Sequence, residues 1–326
     1  MPVIRLLAAC ALLLCVTGCG TALPGTAVPN ETAAEEAAEP LTAKAALGDF
    51  ATIDYCSLTD ANAVPQRLGS VAVLPRGAYD ECRLSVQKDG VDTEVRLGSL
   101  QEEDHLTNSE YTLDGRVLPR GLRVYRGTET GGKVLRCVLY LRFADRILLT
   151  IDTWTREPGG DRCAVADAVL AIAVDRAAAK RVRHHDVGAR TLFRTDACDM
   201  LSVEVVRART GLPDLLASRS LTRHVCRWYH AYPGDVAVDL YLGPAESTWT
   251  GDTVEETLAG HRTLVTASFV GRDGVAVCAV ETSIVAVPRP AVNESAVLWV
   301  ELPRPATDAC RPARELASEV WAKLPW

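Results

Sequence analysis

Eight cysteines fall into two sets of four, and their spacing constrains the fold of this 326-residue chain more than any other feature. Cys56, Cys82, Cys137 and Cys163 are separated by 26, 55 and 26 residues; Cys198, Cys226, Cys278 and Cys310 are separated by 28, 52 and 32. Matching cysteines lie 142, 144, 141 and 147 residues apart. Their neighbours agree as well. Asp54-Tyr55-Cys56-Ser57-Leu58 matches Asp196-Ala197-Cys198-Asp199-Met200, and Cys82-Arg83-Leu84 matches Cys226-Arg227-Trp228. Asp161-Arg162-Cys163 and Asp308-Ala309-Cys310 each open an apolar-periodic stretch. An internal duplication accounts for all of this.

Each copy reads as the same order of elements. A short helix follows the first cysteine, with Asp60 or Val203 in its early turns. A strand then bears the second cysteine and turns at Lys88-Asp89-Gly90 or Pro233-Gly234-Asp235. Strands follow near 121–125 and 261–270, then around the third cysteine at 134–143 and 275–285, then at 146–154 and 296–302. The fourth cysteine starts a closing helix, 164–179 or 312–324, and Pro312 suits its first turn. Alternation places Cys82, Leu84 and Val86 on one side of their strand, and Cys137, Leu139, Leu141 and Phe143 on one side of theirs, toward the core. The fold class is α+β: two tandem homologous domains, residues 49–183 and 184–326, each an antiparallel sheet with flanking N- and C-terminal helices and two disulfides.

Residues 1–18 read as an export signal. Arg5 precedes an apolar run that ends at Val16-Thr17-Gly18-Cys19, and 6–16 is about half the roughly 20 residues a membrane-spanning helix needs. An aliphatic residue, two small residues and cysteine form the pattern of a bacterial lipobox, which implies cleavage before Cys19 and lipidation of its sulfur. Residues 19–48, rich in Ala, Thr, Pro and Glu and broken by Pro24, Pro29 and Pro40, read as a lipidated flexible tether. The expected location is the cell membrane, lipid-anchored, facing the extracellular or cell-wall side. Composition is consistent with this. With 48% apolar residues each copy can fill a core, which excludes wholesale disorder, and a net charge of −7 argues against a nucleic-acid binder.

Outside a bacterial cytoplasm, an even number of cysteines points to disulfides. Four per copy allow three connectivities. We favour Cys56–Cys82, Cys137–Cys163, Cys198–Cys226 and Cys278–Cys310, each tying a helix to a strand and contributing about 3 kcal/mol by chain entropy. Metal binding is the rival. No two cysteines of residues 20–326 lie within four of each other, and only His224 stands near a cysteine at ligand spacing, so no metal or cofactor is expected.

Cys198 with Cys226-Arg227-Trp228, and Cys56 with Cys82-Arg83-Leu84, where Leu stands in place of Trp, resemble the D-x-C-x-L helix start and C-x-W strand of an actinobacterial family of envelope lipoproteins of unknown function. The chain is also similar to the extracellular sensor domains of some actinobacterial receptor Ser/Thr kinases, with two disulfides and a helix-flanked antiparallel sheet. The resemblance implies fold and location, and it carries no catalytic residues.

Patterns that suggest chemistry are weak. Residues 127–133 have P-loop spacing, but Val134 stands where a magnesium-binding hydroxyl belongs, and a strand follows instead of a helix. Ser85-Val86-Gln87-Lys88 matches Ser-x-x-Lys on a strand, where the two side chains cannot meet. The histidines are His105, His184, His185, His224, His230 and His261, none in HExxH, and His230 shares a strand face with Cys226 and Trp228. Arg176, Lys180, Arg181 and Arg183 with His184 and His185 form a basic cluster at the end of the first closing helix, read as a solvated linker or a contact with anionic lipid or wall polymer. Trp228, Tyr229 and Tyr232 could line a groove.

The sequence therefore points to a non-enzymatic, membrane-anchored module that binds an envelope glycan, lipid or protein, with a pseudo-two-fold groove between the copies as its natural ligand site. The alternatives are an envelope hydrolase with a dispersed triad and a structural scaffold.

Overall fold

The computed structural model describes residues 39–74, 79–106, 111–128, 135–155, 160–187, 191–230, 236–244, 252–270, 275–284, 294–303 and 308–325. The expected export signal, Cys19, the expected tether up to residue 38, Pro233-Gly234-Asp235 and most of the P-loop-like stretch lie outside them.

The first half builds seven strands: β1 (Ser70–Val73), β2 (Glu81–Lys88), β3 (Val91–Glu102), β4 (Tyr111–Asp114), β5 (Arg123–Thr128), β6 (Leu135–Arg142) and β7 (Ile147–Thr155). The second builds β8 (Leu215–Arg219), β9 (Val225–His230), β10 (Val236–Pro244), β11 (Asp252–Leu258), β12 (His261–Val270), β13 (Val275–Ile284) and β14 (Glu294–Leu302). The first sheet runs β1-β2-β3-β7-β6-β5-β4 and the second runs β8-β9-β10-β14-β13-β12-β11, so the two share one topology. All strand pairs are antiparallel. The register also repeats: Cys82 pairs with Leu97 and Leu84 with Val95, as Cys226 pairs with Leu240 and Trp228 with Val238. The chain is α+β with two tandem copies of one architecture, in which Glu39–Trp326 forms a single compact unit.

Helices cover one face of each sheet. They are α1 (Ala43–Leu47), α2 (Arg162–Ala178), α3 (Ala197–Met200), α4 (Val203–Thr210) and α5 (Cys310–Trp321). The long closing helices α2 and α5 lie on the two central strands that follow the crossover. Val165, Val169, Leu170 and Ala173 of α2 are buried over β6 and β7, and Ala313, Leu316, Ala317 and Val320 of α5 over β13 and β14. The cysteine faces of β2 and β6 are the buried ones, as the alternation requires: Leu84, Leu139, Leu141 and Phe143 are fully enclosed.

The four disulfides join Cys56–Cys82, Cys137–Cys163, Cys198–Cys226 and Cys278–Cys310, with Cα–Cα distances of 4.9, 5.4, 4.9 and 5.0 Å. Each stays within its half and fastens a helical turn to a strand. The Asp two residues before a cysteine has a local task. Asp196 accepts from the Cys198 amide at 3.0 Å, Asp308 from Cys310 at 2.8 Å, and Asp161 caps α2 at Ala164 N. Asp54 makes no such cap; its side chain pairs with Arg183 at 3.2 Å.

Two expectations need correction. The tether does not reach residue 48, because Leu41 and Leu47 are fully buried and α1 packs against the first core. Five residues make a marginal helix alone. Here Thr42 caps one end, and the distant Asp145 carboxylate accepts from Ala43 N at 2.9 Å. The short α-helix expected after Cys56 is instead a 3-10 turn, Tyr55–Leu58, followed by another at Gln66–Leu68. Pro65 restricts any longer helix there. The second copy carries a Ser202 cap and a left-handed Gly211 end, and forms α4. The strand edges β1, β4, β8 and β11 go beyond the elements read from sequence.

Candidate functional site

Among the described residues, the Ser-x-x-Lys pattern does not assemble. Ser85 and Lys88 sit on opposite faces of β2, and Ser85 Oγ donates to Asp92 at 2.7 Å. Trp228 is enclosed in the second core, so it lines no groove, and Tyr232 lies outside the described residues. The side chains of His105 and His230 are likewise outside them. The basic cluster is largely engaged: Arg176 pairs with Asp60 at 3.4 Å, Arg181 with Asp175 at 2.5 Å and Arg183 with Asp54. His184 Nδ1 meets Thr52 Oγ1 at 2.9 Å. Among the described residues, no three His, Cys, Asp or Glu side chains converge as metal ligands.

A cleft of about 420 Å³ opens at the end of the first sheet, where the β2–β3 hairpin meets the start of α2. Its charges are mixed: Lys88, Arg136 and Arg162 face Asp89 and Asp161. Arg136 holds the buried Asp152 through two hydrogen bonds of 2.7 Å, and Asp161 caps α2. Cys163 at its edge is oxidised. The β13 position corresponding to Arg136 is Val277, so the second half does not repeat this arrangement.

On its helix-free face the first sheet carries a small aromatic cluster. Tyr140 and Tyr111 meet edge-on at 4.9 Å, and Tyr140 donates to Tyr111 at 3.1 Å. Beside them Tyr125 donates to Glu103 at 2.6 Å, and Arg142 and Arg146 donate at 2.8 and 2.9 Å. Burial pushes the Glu103 carboxyl up, but these donors outweigh it and hold it down to about 2. In the second sheet Asp239 is clamped by Arg227 at 2.9 and 3.1 Å and by the Tyr241 hydroxyl at 2.7 Å.

The junction between the halves is packed, in place of the expected open groove. The connector after α2 runs along residues 52–57: Asp54 N donates to Arg183 O at 2.9 Å, His185 N to Thr52 O at 2.7 Å, and Arg183 N to Ser57 Oγ at 2.8 Å. Tyr79 leaves the first half and joins the second core. Its ring stacks on Phe193 at 3.8 Å and meets His224 edge-on at 5.1 Å. Phe193 also contacts His224 at 5.7 Å and His185 at 4.8 Å. Gly98 makes this reach feasible. A Cβ there would lie 2.1 Å from Asp80 O, the same carbonyl that accepts from Ser99 N.

His224 is 1% exposed; its Nε2 lies 3.2 Å from Phe193 O, and its Nδ1 has no hydrogen-bond partner. Burial lowers its pKa to about 4. Burial, and then the Glu81 carboxylate, raise Asp80 to about 6. Burial and the nearby Glu294 push the Tyr79 phenol up. Glu294, itself buried, accepts from Thr191 Oγ1 at 2.5 Å and Leu192 N at 2.8 Å. In the sequence, His224 stands out only for its spacing from Cys226. Tyr79, Phe193 and Glu294 carry no motif, and only the tertiary fold brings them together.

No family model matches the sequence, and no curated protein matches it. Among solved structures, the chain has a likeness to the crystal structure of DynU16, a protein in the dynemicin biosynthetic locus. The match is 13% identical, covers 82% of this chain and 89% of that one, and has a TM-score of 0.14.

Proposed function

We propose that this chain is a lipid-anchored, extracytoplasmic lipoprotein of a bacterial cell envelope that binds an envelope glycan, lipid or protein without catalysis. The observation that carries the reading is the set of four disulfides, two stapling each half, which suits an oxidising compartment. The Val16-Thr17-Gly18-Cys19 lipobox supplies the anchor, and residues 19–38 supply the tether. Binding rather than turnover is supported by what the displaced acids and bases do. Glu103 is caged by Arg142, Arg146 and Tyr125, and His224 is wedged between aromatic rings, each holding structure together.

The test is to express the full chain in a bacterial host fed labelled palmitate. Label and release from membranes by detergent alone are both expected, and both should disappear in Cys19→Ala, while that variant, soluble by itself, still binds isolated envelopes when they are added. Label persisting in Cys19→Ala would overturn the anchor. Hydrolysis of envelope material that one histidine substitution abolishes in a folded protein would overturn the binding role.

A further inference from the structure

We propose that the junction between the two halves is a pH-sensitive latch in which Tyr79 of the first half, caged with Phe193 and His224 of the second, stays docked only while His224 is neutral. The proposal stands on geometry. His224 is enclosed, its ring is flanked by two aromatic rings, and one of these arrives from the other half. A ring nitrogen facing a carbonyl oxygen must carry the proton, so Nε2 donates to Phe193 O and Nδ1 is left bare. A second proton at Nδ1 would be a buried charge with no acceptor. The cheapest relief is withdrawal of Tyr79, because Leu242 N donates to His224 O at 2.8 Å and the Cys198–Cys226 disulfide, two residues on, pins the chain there.

The groups around the imidazole do not rescue that charge. Arg223 on its own turn and His185 on the connector disfavour it, whereas Asp49 of the first half favours it. Glu294, behind Tyr79, is occupied by Thr191 and Leu192. The folded imidazole titrates at about 4, against 6.5 for the free group. Taken alone, His224 therefore leaves docking fully favoured well above pH 6.5 and weakens it about tenfold per pH unit below that, by about 150-fold at pH 4. Asp80 adjoins Tyr79 and titrates in the opposite sense, so its contribution must be removed separately.

Hydrogen exchange on the full chain tests the latch, in an Asp80→Asn background and corrected for intrinsic rates. The amides of His185, which donates to Thr52 across the boundary of the halves, and Ser99, which donates to Asp80 beside Tyr79, should lose protection about tenfold per pH unit from 6.5 to 4.5 while strands β2, β6, β9 and β13 keep theirs. His224→Phe should flatten that profile. Tyr79→Ala should leave those amides open already at pH 7, and serves if His224→Phe does not fold. A flat profile in the Asp80→Asn chain, an unchanged slope in His224→Phe, closed amides in Tyr79→Ala, or loss of strand protection in step with the junction would each overturn the proposal.

Discussion

Across the helix-covered face of the first sheet run Leu84, Val95, Thr153 and Cys137; the same row of the second runs Trp228, Val238, Val300 and Cys278. One row further, on the opposite face, the first sheet carries Arg83, Arg96, Asp152 and Val138, where the second carries Arg227, Asp239, Trp299 and Ala279. The covered faces remain close copies because a helix sits on both and polar groups there would lose water without replacement. The uncovered faces keep the first arginine, Arg83 or Arg227, but differ at the next two positions, where Arg96 aligns with Asp239 and Asp152 with Trp299. What they share is pairing: Asp152 has Arg136, and Asp239 has Arg227 and Tyr241. The comparison locates the scaffold on one face and any difference in recognition between the halves on the other.

The largest expected effect tests whether the covered faces are equivalent. Leu84→Ala and Trp228→Ala empty the same position of the two cores, both fully buried. Urea unfolding should show losses of about 3 kcal/mol for Leu84 and about 4 kcal/mol for Trp228, since the larger side chain leaves the larger cavity. Equal losses would mean that the second core collapses around the gap. Next come the disulfides that follow the third cysteine. Replacing Cys137 and Cys163 together by Ala, or Cys278 and Cys310, should each cost about 3 kcal/mol. The closed loops, separated by 26 and 32 residues, differ so little that the two losses should agree within about 0.2 kcal/mol. A large gap between them would place unequal denatured-state structure in the two copies.

Acid separates the halves in the opposite way. His224 belongs to the second half with a folded pKa of about 4, so its contribution is complete above pH 6.5 and is lost as pH falls toward 4. Asp80 belongs to the first half with a pKa raised to about 6. Its charged form is disfavoured in the fold, so stability is gained as pH falls from 6 toward 3.8. Each effect reaches at most about 3 kcal/mol, and in the global stability of the parent chain they oppose each other between pH 6 and 4. His224→Phe should make stability rise on acidification through that window, and Asp80→Asn should make it fall. Melting temperatures from pH 4 to 7 check both; two identical profiles would mean that neither group titrates as its burial requires.

The cysteine offsets and the alternation around them made the covered faces readable from sequence, down to Leu84 standing for Trp228. The hairpin at Lys88-Asp89-Gly90 was equally legible, because Asp89 and Gly90 both adopt positive φ, 52° and 82°, as a two-residue turn demands. Other features had no local signal. Edge strands such as β1 and β11 are mostly exposed, so no buried period marks them; neighbouring strands impose their conformation. The helix α1 has a cap at Thr42 and a left-handed-side glycine at 48, yet its persistence depends on Asp145, about a hundred residues away. Tyr79 is the clearest case. A lone tyrosine after Pro75-Arg76-Gly77-Ala78 carries no local signal, and only the packed junction shows that it crosses into the other copy.

The smallest effect bears on the uncovered faces, where the halves differ most. The Arg96 guanidinium lies 4.6 Å from the Trp154 ring and 3.7 Å from the Glu81 carboxylate. Its counterpart in the second sheet is Asp239, held by Arg227. A double-mutant cycle of Arg96→Ala and Trp154→Ala should give a coupling of about 0.5–1 kcal/mol, the value for a partly exposed cation over an aromatic ring. The Arg side chain is 43% exposed, which keeps the Glu81 contribution small. The cycle therefore reads the ring contact. A coupling near zero would leave Arg96 free to turn outward, and the first sheet would then present an available cation where the second presents a neutralised carboxylate.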